Sequence, residues 1–188
     1  MIRRLPLLPT IVVVAAAAIM VALGFWQLGK VEAKAALIAS YEEAGGEAAP
    51  VPFPQDGEGE AVWFRRSTLD CTDPGAAEPV AGTAANGAKG WTVRVECSSG
   101  SRPDALVDLG FSQDLDLPVW EGGRVEGIVA PGPRLVADPP VAGLQPLAKP
   151  DPRELPNNHL SYAIQWFGFA LTALVIFFLA VRARIGRR

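Results

Sequence analysis

Asn157–Val181 reads NNHLSYAIQWFGFALTALVIFFLAV, and from Leu160 onward it contains no charged residue. Such a run exceeds the roughly 20 residues needed to cross a hydrocarbon core of about 30 Å as a helix. A second apolar run, Leu5–Leu28 (LPLLPTIVVVAAAAIMVALGFWQL), lies near the other end of the 188-residue chain. It follows Arg3 and Arg4, as a cleaved signal peptide does, but it is longer than the usual 7–15-residue signal core. It ends in WQLGK and not in a small-x-small cleavage site, so it reads as a retained span. Two spans therefore bracket one soluble segment.

Charge is segregated along the chain. All 20 Asp and Glu fall between Glu32 and Glu154, whereas Arg3, Arg4, Arg182, Arg184, Arg187 and Arg188 flank the spans without any acid. The Lys30–Glu154 stretch holds the other 11 of the 17 basic residues and carries a net charge of −9. Short Arg-rich flanks stay cytoplasmic. The expected divisions are a cytoplasmic N-terminus (1–6), a first transmembrane helix (7–28) and a periplasmic domain (29–158). A second transmembrane helix (159–181) and a cytoplasmic basic tail (182–188) follow. A bacterial inner membrane is the simplest setting, and an acidic domain argues against nucleic acid as a partner.

Val31–Glu43 (VEAKAALIASYEE) is Ala-rich and continues the first helix until Gly45-Gly46, with Ala49–Glu60 as an extended connector. Strands rich in β-branched and aromatic residues are predicted at Val62–Cys71, Gly90–Cys97, Ala105–Phe111 and Arg124–Val129. Thr72–Gly90 reads as a long Gly/Ala-rich loop and Ser98–Asp104 as a hairpin loop. Six prolines between Pro139 and Pro156 forbid a helix there and leave a stiff extended return to the membrane. The fold class is thus an α+β membrane protein, its two transmembrane helices bracketing a mainly β, partly barrel-like soluble domain.

Cys71 and Cys97 lie in that domain, in a compartment where a disulfide persists. A separation of 26 with no neighbouring His fits no metal signature, and there is no C-x-x-C redox motif. The pair reads as a structural disulfide worth about 3 kcal/mol. Its members are out of register for a simple hairpin, so sheet curvature or a non-local pairing must bring them together.

Catalytic and nucleotide templates such as G-x-S-x-G, the Walker loop and H-E-x-x-H are missing from the sequence. Asp114, Asp116, Glu121 and Glu126 are scattered in turn-rich sequence and read as solvated charges. Topology puts Gly24, Trp26 and Gln27 at the same membrane depth as His159, Tyr162, Gln165 and Trp166. An interfacial aromatic belt explains Trp26, Tyr162 and Trp166 without a ligand. Gln27 and Gln165 need more, because an amide in hydrocarbon seeks a partner across helices.

At 100° per residue, Ser161, Gln165, Gly168 and Thr172 share one stripe, suited to packing on the first helix, where Ala17, Gly24 and Gln27 share a side. His159, Ala163, Trp166 and Ala170 form a second stripe, expected to face away from that helix toward lipid or another protein. His159, the one histidine of the chain, then either ligates a haem iron or sits among headgroups as a helix cap.

LGFWQLGKVEAK (Leu23–Lys34) carries a G-x-W-Q motif followed by basic residues, and NNHLSYAIQWFGFA (Asn157–Ala170) an N-N-H-L-x-Y-A-x-x-W-F motif. With FRRSTLDC and ALVDLGF between them, the chain resembles the surfeit-locus protein 1 family of cytochrome c oxidase assembly factors. Asp108-Leu109-Gly110-Phe111 departs from the family's N-R-G-W, and Lys30 replaces a commoner Arg, so polar contacts in the domain core should differ. The resemblance implies binding or delivery of an a-type haem, with the oxidase large subunit and other assembly factors as partners and membrane lipid around the helices. It also implies His159 as the haem-iron ligand, Trp166 and Tyr162 at the cofactor, and Gln27 with Trp26 holding the helices together. It implies no enzyme. A haem-independent scaffold for an oxidase intermediate is the alternative. A sensor would need a separate output partner, since only RARIGRR follows Val181.

Overall fold

A computed structural model describes residues 6–46, 49–54, 59–98, 105–115 and 117–186. In chain order the elements are α1 (Leu7–Gly45), β1 (Val51–Pro52), β2 (Arg66–Cys71), β3 (Asp73–Pro74), β4 (Glu78–Thr83) and β5 (Lys89–Ser98). They continue with β6 (Ala105–Ser112), β7 (Gly123–Ala130), β8 (Arg134–Ala137) and α2 (His159–Gly186). The chain forms two compact units, one of Met1–Leu37 with Pro156–Arg188 and the other of Ile38–Leu155. Two long apolar helices thus bracket a mainly β domain.

Both apolar runs form helices long and apolar enough to cross a membrane. Pro9 sits in the first turn of α1, where a missing N–H costs no helical bond. Thr10 donates from its backbone and its hydroxyl to the Pro6 carbonyl, at 3.0 and 2.8 Å. The helix then runs unbroken to the glycine pair, where the Gly46 N–H bonds the Glu43 carbonyl at 3.1 Å. Near that end, in the second unit, buried Tyr41 stacks obliquely on Phe64 and Trp63 with centroids 5.3 and 6.1 Å away.

The eight strands make one sheet in the order β1-β2-β7-β8-β6-β5-β3, with β4 also on β5. Three of the predicted strands lie where the sequence puts them, within about two residues. The fourth is shorter: a 3₁₀ turn at Glu60–Val62 and a left-handed Phe64 (φ 65°) delay β2 to Arg66. The Thr72–Gly90 loop is a correction, since it contains β3 and β4. Asn86-Gly87 turns β4 into β5, with Gly87 at φ 87° and Asn86 Oδ1 accepting the Ala88 N–H at 3.0 Å. Asn-Gly is the strongest short-range hairpin signal. Only Val80 and Thr83 in EPVAGT favour a strand, which is why composition concealed it. The predicted Ser98–Asp104 hairpin loop lies, from residue 99 on, outside the described residues.

Closure of the sheet follows from β2 and β3. Only Thr72 separates them, yet β2 pairs with β7 and β3 with β5, far apart in the strand order. The sheet therefore curls back on itself. Cys71 ends β2 and Cys97 lies in β5 opposite Pro74, and the two form a disulfide with Cα atoms 5.5 Å apart. Curvature and non-local pairing, not a hairpin, bring them together. Inside the curl Val93, Val95, Val107, Leu109, Val125 and Leu135 are almost wholly buried, each stabilising by about 1.5–3 kcal/mol.

The proline-rich return crosses the other face of the sheet. Gln145 bridges to Phe111 and Leu147 to Ala84, and a smaller apolar cluster of Phe111, Ala130, Val136 and Leu147 lies beneath. Among the described residues this stretch holds no helix beyond a 3₁₀ turn at Pro152–Glu154, capped by Asp151. Asp138 at its start receives Lys149 Nζ at 2.8 Å and Arg66 Nη1 at 3.4 Å. The Lys149 hydrogen bond is the largest cause holding its carboxyl below the ordinary range, with Arg66 adding to it against the opposing effect of burial.

Two outcomes follow. Replacing both cysteines by Ser should lower unfolding stability by about 3 kcal/mol, read from denaturant unfolding in detergent. Asp138→Asn should destabilise the protein at neutral pH but not in strong acid. A lowered folded-state pKa gives stability that is complete above the unfolded carboxyl value of about 3.9 and is lost as pH falls through the folded value. Wild-type and variant melting temperatures should therefore converge below that range, and a gap persisting there would contradict the assignment.

Candidate functional site

Within the first unit the two helices pair antiparallel, Gly24 meeting Phe167 and Gln27 meeting His159. The covered positions of α1 include Thr10, Val13, Ala17, Met20, Gly24 and Gln27, and those of α2 include His159, Ala163, Trp166, Ala170, Ala173 and Phe177. Both series step by three and four residues in turn, the seven-residue repeat of a coiled-coil seam. Ala17, Ala163 and Ala170 are 5%, 1% and 3% exposed, so small side chains set a close approach. Gly24 makes room for Phe167: a Cβ would stand 2.5 Å from Phe167 Cε1 and force the ring to shift. Phe167 in turn meets Phe25 edge-on, with centroids 5.4 Å apart.

This seam corrects the expected helix faces. Ser161, Gln165, Gly168 and Thr172 are all exposed, and a Cβ on Gly168 would meet nothing within 4 Å. The stripe of His159, Ala163, Trp166 and Ala170, expected to face away, is the one laid against α1. Polarity suggested the first stripe, but Ala163 and Ala170 permit a closer backbone approach, and the imidazole finds its partner only on this side. Gly24 and Gln27 lie on the covered face of α1. Trp26 does not: it is 55% exposed, with Lys30 Nζ 5.5 Å from its ring centroid.

The polar centre of the pair is the hydrogen bond between His159 Nδ1 and Gln27 Oε1, 2.7 Å long. A carbonyl oxygen only accepts, so Nδ1 carries the proton and Nε2 keeps its lone pair. In a neutral ring this arrangement leaves Nε2 as the metal-ligating nitrogen, with Nδ1 anchored as it usually is in ligating histidines. His159 opens α2 and is partly covered. Two residues earlier Asn157 Oδ1 is buried without a hydrogen-bond partner.

Trp166 lies two turns along the same stripe, partly covered and edge-on to Phe169 with centroids 6.2 Å apart. Tyr162, three residues along α2 from His159, is half-exposed. A lone imidazole is one nitrogen donor. That is too few for a bare ion and would suffice for an iron already carried in a porphyrin. The donor set therefore fits a haem.

The sequence undervalued Gln27 and Asn157. The signal for Gln27 was present, since two antiparallel spans place its amide at the depth of His159. Asp108, flagged only as a departure from a motif, is 3% exposed and clasped by Arg94 and Arg134. Asp114, Glu121 and Glu126 are exposed, and Asp116 lies outside the described residues.

Gly24→Leu should loosen the helix pair and lower its melting temperature in detergent, and Phe167→Ala in the same chain should restore part of the loss. No change in Gly24→Leu would overturn the assigned seam.

The model of the SURF1 family matches residues 14–171, which include both helix motifs and the whole β domain. A comparison with curated protein sequences finds no match.

Proposed function

The chain belongs to the SURF1 family of cytochrome c oxidase assembly factors, and from that premise we propose that it binds an a-type haem at His159 and passes it to the oxidase large subunit. The observation that carries this reading is the His159–Gln27 hydrogen bond, which leaves the imidazole Nε2 free as a donor. A bound haem would supply an iron able to take a nitrogen ligand from the protein. His159 would hold the iron through Nε2, with Gln27 keeping the proton on Nδ1 and fixing the ring plane. Trp166, on the same stripe, offers an apolar wall to a macrocycle. A single protein ligand on a partly covered helix end suits a carrier, because one ligand would hold a haem less firmly than two and ease its release.

The setting is a bacterial inner membrane with both termini cytoplasmic and the β domain periplasmic, supported by the Arg-rich flanks and the acidic middle of the chain. A disulfide suits that compartment. Other assembly factors and membrane lipid are the remaining partners.

Haem content of detergent-purified wild type, scored by haem type, should fall to background in His159→Ala. Gln27→Leu should keep part of the haem with an altered absorption spectrum, because the ring loses its anchor while Nε2 remains. Wild-type haem content and oxidase assembly in His159→Ala would overturn the ligand role. Oxidase subunits co-purifying with a haem-free wild type would replace it with a haem-independent scaffold.

A further inference from the structure

Arg94, Asp108 and Arg134 occupy neighbouring strands on the face of the sheet opposite the main core, since Val93, Val95, Val107 and Leu109 on either side of them point into that core. They line a cavity of about 330 Å³, closed on other sides by Thr83 of β4 and by Leu147–Pro150 of the proline-rich return. Asp108 is buried and needs a countercharge, and Arg94 alone supplies one. Its Nε lies 2.6 Å from Oδ1 and its Nη2 3.2 Å from Oδ2, a two-point clasp. This hydrogen bond raises the Arg94 guanidinium above its ordinary pKa.

Arg134 goes beyond that need. It adds Nε at 2.9 Å from Asp108 Oδ2 and bonds the Pro131 carbonyl through Nη1 at 2.7 Å. Two guanidiniums therefore face one carboxylate. Among the described residues, Arg94 Nη1 and Arg134 Nη2 have no hydrogen-bond partner. Lys149 also lines the cavity but is held by Asp138. Glu154 is exposed at the rim, and Glu78, opposite Arg94 on β4, is exposed and not in the lining. Val136, Leu147 and Pro150 add apolar surface to a lining that is otherwise largely polar, with Thr83 and Thr92 in it.

Uncommitted guanidinium edges, with two arginines around the one carboxylate at the base, match a second, small carboxylate. We propose that this cavity binds a small monocarboxylate. A phosphate dianion carries more charge than the pair of arginines leaves unbalanced, and it would stand against Asp108 and Glu154.

The test uses the full chain in detergent with benzoate as the probe, at constant ionic strength made up with chloride. Benzoate should raise the melting temperature saturably and give a calorimetric isotherm, while neutral benzamide does neither. Arg134→Lys keeps the charge beside Asp108 but loses the spare edge, and should weaken benzoate by roughly tenfold. Ala148→Phe, at an exposed lining position off the ion network, should keep the wild-type melting temperature and abolish binding. Equal shifts from benzoate, benzamide and chloride would overturn the site, as would wild-type benzoate affinity in both variants. Tighter binding of inorganic phosphate than of benzoate would overturn the monocarboxylate assignment.

Discussion

The hydrogen bond between Gln27 and His159 is the constraint around which the helical unit is organised. An amide and an imidazole each close a long apolar run, and in hydrocarbon neither finds water. Their mutual bond of 2.7 Å satisfies both and fixes which residues of α1 lie opposite which residues of α2. Its energy is modest, since hydrogen bonds between membrane helices average about 0.6 kcal/mol. The seam of Ala17, Gly24, Ala163 and Ala170 supplies the close packing, and the bond selects the register. The same bond chooses the imidazole tautomer, so one interaction governs both the helix pair and the chemistry of its lone histidine.

The β unit rests on a different constraint, a chain that must close a small sheet with few strands. Thr72 lets one extended segment serve two distant neighbours, and the disulfide holds that junction shut. Closure hides most strand edges that would otherwise invite pairing with other chains. Because the curl has a full apolar interior, the face turned away from it is free to carry charge. The proline-rich return covers part of that face, and this is how Asp108 comes to be buried on the side away from the main core.

Legibility in the sequence tracked the physical range of each signal. Apolar runs, the glycine stop at Gly45-Gly46 and the β-branched strands are local, and they appear within a few residues of where composition puts them. The strand β4 was hidden because Gly and Ala mask its propensity, although Asn86-Gly87 announced its turn. The helix faces were misassigned because two stripes on α2 both contain small residues, and polarity favoured Ser161 and Gln165. Only the position of Phe167 against Gly24 and of His159 against Gln27 decides between them. That is a relation between two helices, and no window on either helix contains it. The curvature that joins Cys71 to Cys97 was inferable as a necessity, but its route through β3 was not.

Asp108 shows how a departure from a motif acquires physical meaning. Buried in a strand, an aspartate is tolerable only with a paired cation, and here β5 and β8 each deliver an arginine to the same carboxylate. Breaking such a pair costs about 3–5 kcal/mol, whereas an intact pair contributes little net stability. Arg94 already meets the structural requirement of Asp108. Arg134, more exposed than Arg94 and facing the same cavity, is the member of the trio that stability alone does not explain.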